Sequence, residues 1–252
     1  MVRGAALIDL TGRRAFVTGG GRGIGRATAA LLARAGAQVA VGYRSRKPAA
    51  EAHIVAAVRG DLGTPAGAKK AVAEALRALG GNLDILVVNH GVWPPDDVPV
   101  ASMTDEQWES TRRANLDAVI FVCRAAIPTI TEGGTIVLVA STAGQRGEAF
   151  HTDYAATKGA VIAITKSLAV ELAPKITVNC VAPGWVDTDM SRPAFGKREA
   201  GDGKRAIEAT IPLGRVATAE DIAGPIVFLC SALARHMTGE ILNVNGGSVL
   251  CG

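Results

Sequence analysis

The sequence predicts an α/β fold, a doubly wound parallel sheet of about seven strands with helices on both faces. Short apolar runs alternate with helix-like segments from one end of the chain to the other, and this alternation is typical of βαβ units. Hydrophobic residues make up 48% of the 252 residues and aromatic residues only 4%. Such a composition is typical of parallel strands buried beneath helices.

Each element is predicted from its hydrophobic period and length. The predicted strands cover 14–18, 38–43, 54–59, 85–89, 135–140, 176–181 and 240–244. The predicted helices lie near 24–35, 65–79, 104–131, 154–173 and 218–233. The chain has no Pro/Gly/Ser-rich linker and no internal repeat, so we expect a single domain over 1–252.

Two segments interrupt the alternation. The residues between Arg44 and Asp61 leave room for little more than one short helix and a strand. The segment 189–210 is polar, contains glycine and carries Arg192, Arg198 and Arg205. A long polar insertion in a compact domain is either functional or disordered, and we expect this one to be a substrate lid.

The charge pattern argues against two classes of partner. Lys and Arg exceed Asp and Glu by only 27 to 23, and the basic residues are dispersed, so we expect no nucleic-acid binding. No apolar run approaches the roughly 18–20 residues of a membrane span. The apolar stretch near the N-terminus is too short for a signal peptide. We therefore expect no membrane association and a cytoplasmic location.

The cysteines and histidines predict neither disulfides nor a metal site. Cys123, Cys180, Cys230 and Cys251 are far apart and lie mostly in apolar segments, which favours small buried thiols in a reducing compartment. The four histidines, His53, His90, His151 and His236, have no ligand spacing with one another or with a cysteine.

A glycine-rich turn follows the first predicted strand. It reads T-G-G-G-R-G-I-G and includes Gly19, Gly21, Arg22, Gly23 and Ile24. Glycines allow a tight turn and let the N–H groups at the start of the next helix approach a pyrophosphate. A strand, this turn and a helix in succession predict a Rossmann-type dinucleotide-binding domain.

The end of the second strand bears on the choice of cofactor. Dinucleotide folds that bind NAD place a carboxylate there for the ribose 2′-hydroxyl, whereas an arginine accommodates the 2′-phosphate of NADP. Here Arg44 occupies this end, Arg22 could supply a second cation, and no carboxylate occurs before Glu51. The pattern favours NADP(H) over NAD(H).

Tyr154 and Lys158 lie four residues apart in a predicted helix, so their side chains share one face. A nearby cation can lower the pKa of a phenol by about 1–3 units, which would let Tyr154 act as an acid or base near neutral pH. The alternative is a ring covered by an aliphatic stem, and other motifs have to decide between the two.

The motifs together resemble the short-chain dehydrogenase/reductase family from about Leu10 to Gly247. The resemblance rests on Thr18-Gly19-x-x-x-Gly23-x-Gly25, Asp61-Leu62, Val88-Asn89-His90-Gly91, Asn115, Ser141, Tyr154-x-x-x-Lys158 and Pro183-Gly184. It implies that Tyr154 is the general acid/base and that Lys158 lowers its pKa and binds the nicotinamide ribose. Ser141 matches the hydroxyl that polarises the substrate oxygen, and Asn115 matches the residue that holds a water in the proton relay.

The same resemblance implies further cofactor contacts. Asp61, with Leu62 beside it, matches the carboxylate that meets adenine, and Asn89 with Gly91 matches the turn that braces the cofactor side. Contacts on the nicotinamide side are implied for Pro183, Gly184, Val186 and Thr188. His90 replaces a small residue of the family's N-N-A-G turn, and its role stays open.

The substrate is the least determined part. The overall pattern is similar to 3-oxoacyl-[acyl-carrier-protein] reductases, which act on acyl thioesters. Their basic residues for an acidic carrier protein are missing from the end of the predicted helix 104–131, near Ile127–Glu132. A sugar, polyol, steroid or other small ketone or alcohol therefore remains an alternative, with Trp93 and Trp185 shaping the pocket. An inactive nucleotide-binding sensor is a remote alternative. Resemblance also implies a homotetramer.

Overall fold

The computed structural model describes residues 7–48, 54–196 and 203–250. Seven strands form one sheet in the order β3-β2-β1-β4-β5-β6-β7, and every pair of neighbours is parallel. The strands are β1 (Arg14–Thr18), β2 (Gln38–Tyr43), β3 (Ile54–Arg59), β4 (Leu83–Val88), β5 (Ile130–Val139), β6 (Ile176–Pro183) and β7 (Ile241–Val244). The predicted seven-stranded, doubly wound fold is confirmed.

Helices cover both faces of this sheet. They are α1 (Gly23–Arg34), α2 (Pro65–Ala78), α3 (Asp105–Arg112), α4 (Ala118–Ala126), α5 (Thr142–Arg146), α6 (Thr152–Leu172), α7 (Arg192–Gly196), α8 (Gly203–Glu208) and α9 (Ala219–Leu229). None of the helices in the described ranges is long and apolar enough to cross a membrane.

Alternate residues of each strand supply two separate cores. Phe16 of β1 is fully buried against α2 and α4 on one face, and Val17 is fully buried against α1 and α9 on the other. The side chains of a strand alternate between the two faces of the sheet. A strand buried on both faces therefore reads as a continuous apolar run, as β4 does.

The predicted helix 104–131 is wrong at its end and in its interior. The α-helical geometry stops at Ala126, and β5 already begins at Ile130. Pro128 lies in the short 3-10 turn between them, and the β-branched residues after it favour a strand. A π-helical segment, Arg113–Asp117, separates α3 from α4. Such segments are rare and occur frequently at functional sites.

The two interruptions of the alternation have different outcomes. Residues 44–48 after β2 contain no helix, and 49–53 lie outside the described residues, as does His53. In the expected lid, the described parts form α7 and α8, while 197–202, including Arg198, lie outside the described residues. Cys123, Cys180 and Cys230 are free and buried, as expected, and Cys251 lies outside the described residues.

The strand order positions the site. From β1 the chain runs outward to β2 and β3, and then returns to place β4 on the other side of β1. The connections after β1 and β4 therefore diverge and leave a crevice at the carboxyl ends of these strands. Doubly wound sheets bind their ligands at this point.

Candidate functional site

A cavity of about 560 Å³ opens at the carboxyl ends of the strands. It is lined by every predicted site residue except Asn115. These are Gly19, Gly21, Arg22, Gly23, Ile24, Arg44, Asp61, Leu62, Asn89, Gly91, Ser141, Tyr154, Lys158, Pro183, Gly184, Val186 and Thr188. The fold thus brings residues from six connections, more than 160 positions apart in sequence, into one pocket.

The glycine turn is packed so closely that side chains would not fit. A Cβ at Gly25 would lie 2.3 Å from the carbonyl oxygen of Gly19 and 2.5 Å from Nδ2 of Asn89. Gly19 itself has φ +66°, a conformation that glycine adopts without strain. The Asn89 amide donates to the carbonyl oxygens of Thr18 (3.2 Å) and Gly19 (3.4 Å). This braced backbone at the start of α1 fits a pyrophosphate.

Arginines and one carboxylate occupy the end of the cavity beside β2. Arg46 forms an ion pair with Asp189 at 3.0 Å, and Arg22 lies 3.9 Å from the same carboxylate. The Arg44 side chain is exposed and has no ion pair with any described residue. Three guanidinium groups near one carboxylate leave this end positively charged.

Asp61 lines the cavity, but its carboxylate is already engaged. Oδ2 accepts a hydrogen bond from Arg113 at 2.6 Å, and Oδ1 accepts one from the Gly63 backbone at 3.1 Å. These bonds tie the end of β3 to the π-helical segment. An adenine contact by Asp61 would have to share oxygens that already have donors.

Ser141 and Tyr154 approach each other from two helices. Ser141 follows β5 and caps α5, where its Oγ accepts from the Ala143 backbone at 3.2 Å. Both side chains line the cavity, and the Ser141 hydroxyl acts to lower the pKa of the Tyr154 phenol. Tyr154 lies in the first turn of α6, where its backbone N–H donates to the buried carboxylate of Asp153 at 2.8 Å. Asp153 also accepts from Thr111 at 2.7 Å, which fixes the start of α6.

The electrostatics of Tyr154 and Lys158 differ from the sequence-based expectation. Nζ of Lys158 lies 5.8 Å from the centre of the Tyr154 ring and donates to the Val139 carbonyl at 2.8 Å. Burial raises the pKa of Tyr154 to about 12, and the Ser141 hydrogen bond only partly opposes it. Burial lowers the pKa of Lys158 to about 8. In the protein alone the Tyr154 pKa is therefore not lowered, because burial raises it and the lysine amine donates to the Val139 carbonyl; the role of Lys158 stays a prediction.

Asn115 lies behind the cavity wall and not on its surface. It is fully buried in the π-helical segment. Its Oδ1 accepts from the Val92 backbone at 2.7 Å, and its Nδ2 donates to the Val92 carbonyl at 2.9 Å and to Thr157 at 3.3 Å. The side chain therefore fixes the loop after β4 to α6. Sequence reasoning assigned it a water, whereas in the structure its amide is fully engaged by protein.

The segment after β6 closes the other side of the cavity. Val186 is buried, and the Thr188 backbone N–H donates to Oγ of Ser191 at 3.1 Å. Ser191 Oγ also donates to the Val186 carbonyl. Gly184 donates to the Val244 carbonyl at 3.2 Å, so the segment is anchored to β7.

His90 is held in place by the end of β1. Its Nδ1 lies 2.8 Å from Oγ1 of Thr18, whereas its Nε2 is buried without a partner among the described residues. Burial, with a smaller effect of Lys158, lowers the pKa of His90 to about 3. The ring is therefore neutral throughout the ordinary pH range.

Sequence reasoning missed a polar group at the substrate end. Arg146 and Glu148 line the cavity together with Trp93 and Trp185. The Trp93 indole acts to lower the pKa of the Glu148 carboxyl, and its ring stacks on His151 with ring centres 4.6 Å apart. The only signal in the sequence was position, because Arg146 and Glu148 lie in the loop between Ser141 and Tyr154.

Comparison with known proteins agrees with this geometry. A family model of short-chain dehydrogenases, described as "Enoyl-(Acyl carrier protein) reductase", matches residues 19–248. The 3-oxoacyl-[acyl-carrier-protein] reductase FabG of Escherichia coli is 38% identical over 249 residues, covering 95% of this chain and 98% of that protein.

Solved structures give the same result. A short-chain dehydrogenase/reductase from Brucella melitensis, described as a glucose/ribitol dehydrogenase, superposes with a TM-score of 0.89 at 34% identity and covers 97% of this chain and 99% of its own. A blue fluorescent protein from a metagenomic library, in complex with NADPH, superposes with a TM-score of 0.85 at 34% identity over 96% of this chain and 100% of its own.

The fold and the cavity define a nucleotide-dependent oxidoreductase that works with a nicotinamide cofactor. The chain belongs to the short-chain dehydrogenase/reductase family.

Proposed function

We propose that this protein is an NADP(H)-dependent oxidoreductase that interconverts a ketone and a secondary alcohol, with Tyr154 as the proton donor and acceptor. One observation carries the proposal. Ser141 and Tyr154 line the cavity that also contains the glycine turn, the Ser141 hydroxyl acts to lower the pKa of the phenol, and the Lys158 amine lies 5.8 Å from the tyrosine ring. An acid, a second donor and a phosphate cradle thus share one pocket.

The side chains suffice for the protein's part of the chemistry. When bound, the reduced nicotinamide supplies the hydride. Ser141 and Tyr154 converge on one point, where their hydroxyls can bond a substrate oxygen and stabilise the negative charge that develops on it. Tyr154 then gives its proton to that oxygen. Lys158, whose amine donates to the Val139 carbonyl at 2.8 Å, places a positive charge beside the phenolate that forms.

The protonation states favour reduction at neutral pH. With a pKa of about 12, Tyr154 is a neutral phenol, the form that donates a proton. In oxidation the tyrosine has to be deprotonated first, and burial opposes this. We therefore expect the oxidation rate to rise with pH over a wider range than the reduction rate.

The preference for NADP(H) rests on the cations at the end of β2. Arg44 is exposed and free of ion pairs with described residues, and Arg22 and Arg46 lie beside Asp189 on the same wall. Guanidinium groups bind phosphate with charge-assisted, bidentate hydrogen bonds. No carboxylate of the described part of β2 is placed to accept from a ribose hydroxyl.

Two substrate classes are open within this proposal. The relation to FabG proteins supports a 3-oxoacyl thioester, the substrate their name specifies. For an acidic carrier protein, α4 offers one base, the exposed Arg124 in its last turn, which lies 5.3 Å over the Phe121 ring. A sugar, polyol or other small ketone is the second candidate. The complete set of site residues argues against an inactive sensor.

Three further expectations remain proposals. Segment 189–210 would act as a lid, supported by Met190 and Ser191, which line the cavity. A homotetramer would cover exposed apolar residues of two helices, Val170 on α6 (82% exposed) and Ile120 on α4 (39% exposed). The chain would work as a single domain in the cytoplasm.

The proposal is tested with the variant Tyr154→Phe. NADPH oxidation is monitored by absorbance with a panel of ketones and acetoacetyl thioesters. We expect turnover to fall at least about a hundredfold, the usual contribution of a general acid, with the Kd for NADPH nearly unchanged. Tyr43→Phe is the matched control, because Tyr43 is the chain's only other tyrosine and ends β2. Retained activity in Tyr154→Phe would contradict the proposal.

A further inference from the structure

We propose that Glu148 and Trp93 form a subsite that binds hydroxyl groups next to the reacting carbon, so that the preferred substrates are polyhydroxylated ketones and alcohols. The inference rests on the proposed function, because it names the substrate class of the same pocket.

Glu148 is placed to touch the substrate. It lies in the loop between Ser141 and Tyr154, lines the cavity and is half-buried. It lines the same cavity as Tyr154, and its negative charge adds a minor effect to the burial that raises the pKa of the phenol. A carboxylate in this position can reach hydroxyl groups on the carbon atoms next to the substrate's carbonyl carbon.

Trp93 gives this carboxylate an aromatic wall. Its indole acts to lower the pKa of Glu148, and its ring stacks on the buried His151 ring, with centres 4.6 Å apart and planes 10° apart. Trp185 meets Trp93 edge-on at 5.9 Å, and Phe195 follows at 6.2 Å from Trp185. The wall therefore runs from the Glu148 loop to α7.

The backbone holds this arrangement before a substrate arrives. The N–H of Val98 donates to the Phe150 carbonyl at 3.1 Å, which joins the loop that carries Trp93 to the loop that carries Glu148. Phe150 has φ +66° and is the only non-glycine residue with positive φ in the described ranges. Such a conformation is costly and is found preferentially at binding sites.

A carboxylate beside aromatic faces could bind either an amine or hydroxyl groups. Burial raises the pKa of Glu148, and the charges of His151 and Arg146 only partly oppose it; with Lys158 lining the same pocket, these positive charges favour hydroxyls over a cationic amine. A carboxylate that already has positive charges around it attracts a further cation weakly. It retains lone pairs for several hydrogen bonds, and hydroxyl donors can use two of them at once.

The Glu148 carboxylate also disfavours a substrate with an acyl chain. An alkyl segment against Glu148 would exclude water and leave carboxylate oxygens without donors, which is costly for a buried charge. Sites built to hydrogen-bond a substrate hydroxyl reject analogues that lack it far more strongly than apolar pockets discriminate by size. Glu148 would therefore select against 3-oxoacyl thioesters.

The test compares ketones of equal length with and without hydroxyls. Erythrulose is measured against butanone, ribulose against pentanone, and acetoacetyl-CoA serves as the acyl probe, all with NADPH. We expect the wild-type protein to prefer the hydroxylated member of each pair in kcat/KM by about tenfold or more, the effect of one hydrogen bond to a charged group.

Glu148→Gln keeps the size of the side chain and removes its charge. We expect it to lower the preference for the hydroxylated member about tenfold, mainly through KM for the hydroxylated ketones, because any effect of the lost charge on Tyr154 is shared by both members of a pair. Asp96→Asn removes an exposed carboxylate from the neighbouring loop and is expected to change nothing. A merely structural role of Glu148 would lower both members of a pair together.

The outcomes separate the subsite from the proposed function. Activity with ketones but no preference for hydroxyls, an equal loss for both members in Glu148→Gln, or a preference for acetoacetyl-CoA would overturn the subsite and leave the oxidoreductase assignment standing. Binding of NADPH without turnover of any ketone or thioester would overturn both.

Discussion

The two ends of the cavity are built from different materials. At the cofactor end the surface is backbone, with Gly19 and Gly25 packed against the Asn89 amide at distances that exclude a Cβ. At the substrate end the surface is side chain, with Glu148, Trp93 and Trp185 projecting from three separate loops. A backbone surface accepts one shape, whereas a side-chain surface can change with each substitution. The backbone surface therefore suits a ligand that a whole protein family shares, and the side-chain surface suits the substrate of an individual member.

The strongest test of the contrast between the backbone surface and the side-chain surface is Gly25→Ala. The new Cβ would lie 2.3 Å from the Gly19 carbonyl oxygen and 2.5 Å from Nδ2 of Asn89, so α1 or the turn has to move. We expect a loss of about 1–3 kcal/mol in the free energy of unfolding and at least a tenfold weaker Kd for NADPH. Denaturant unfolding and fluorescence titration measure the two effects.

Gly224→Ala is the control for this variant. Gly224 lies in α9 and a Cβ there meets no atom within 4 Å. Its NADPH affinity is expected to equal that of the wild-type protein. If Gly25→Ala also binds NADPH normally, the cofactor end is not the rigid backbone cradle described above.

A smaller effect is expected from Arg44→Glu, which reverses the exposed charge at the end of β2. Loss of a charge-assisted contact to the 2′-phosphate, and repulsion by the new carboxylate, should lower kcat/KM for NADPH about tenfold to a hundredfold. The value for NADH should stay the same or rise. Steady-state kinetics with both cofactors measures this change, with Arg34→Gln, an exposed residue of α1, as the control. An unchanged NADPH preference would remove Arg44 from the cofactor site.

The smallest effect concerns Lys158, which lies between the two ends. Burial lowers its pKa in the folded protein to about 8, from an ordinary lysine value of 10.5. Below about pH 8 the ammonium is buried in its charged form, and the full cost is present. Between about pH 8 and 10.5 the folded protein releases the proton while the unfolded chain keeps it, so the cost fades as pH rises.

Lys158→Met should therefore be more stable than the wild-type protein at about pH 7, by about 1–3 kcal/mol, and no more stable near about pH 10.5. Its activity should be lost. Urea unfolding at the two pH values measures the difference. A variant less stable than wild type at neutral pH would mean that the hydrogen bond to Val139 outweighs the desolvation of the charge.

The strands that the sequence predicted correctly were predictable for one physical reason. β1, β2 and β4 are buried on both faces, and their apolar runs give their positions within two residues. The end of α4 was mispredicted because Ile127–Thr131 suits a helix by period and a strand by β-branching, and the pairing of Leu83 with Ile130 decides for the strand. The π-helical segment at Asn115 has no sequence signal of its own.

The sequence by itself determined the fold and predicted the nucleotide cradle and the set Ser141, Tyr154 and Lys158. The fold and the cradle follow from hydrophobic period and glycine spacing, the Tyr154–Lys158 pair from neighbours on one helix, and Ser141 from the family resemblance. Only the tertiary structure decided the protonation of that set and the lining of the substrate end. Burial raises the Tyr154 pKa and lowers that of Lys158, and burial arises from packing between distant segments. Glu148 and Trp93 lie 55 positions apart in the chain, and they meet only because the loops after β4 and β5 open on the same edge of the sheet.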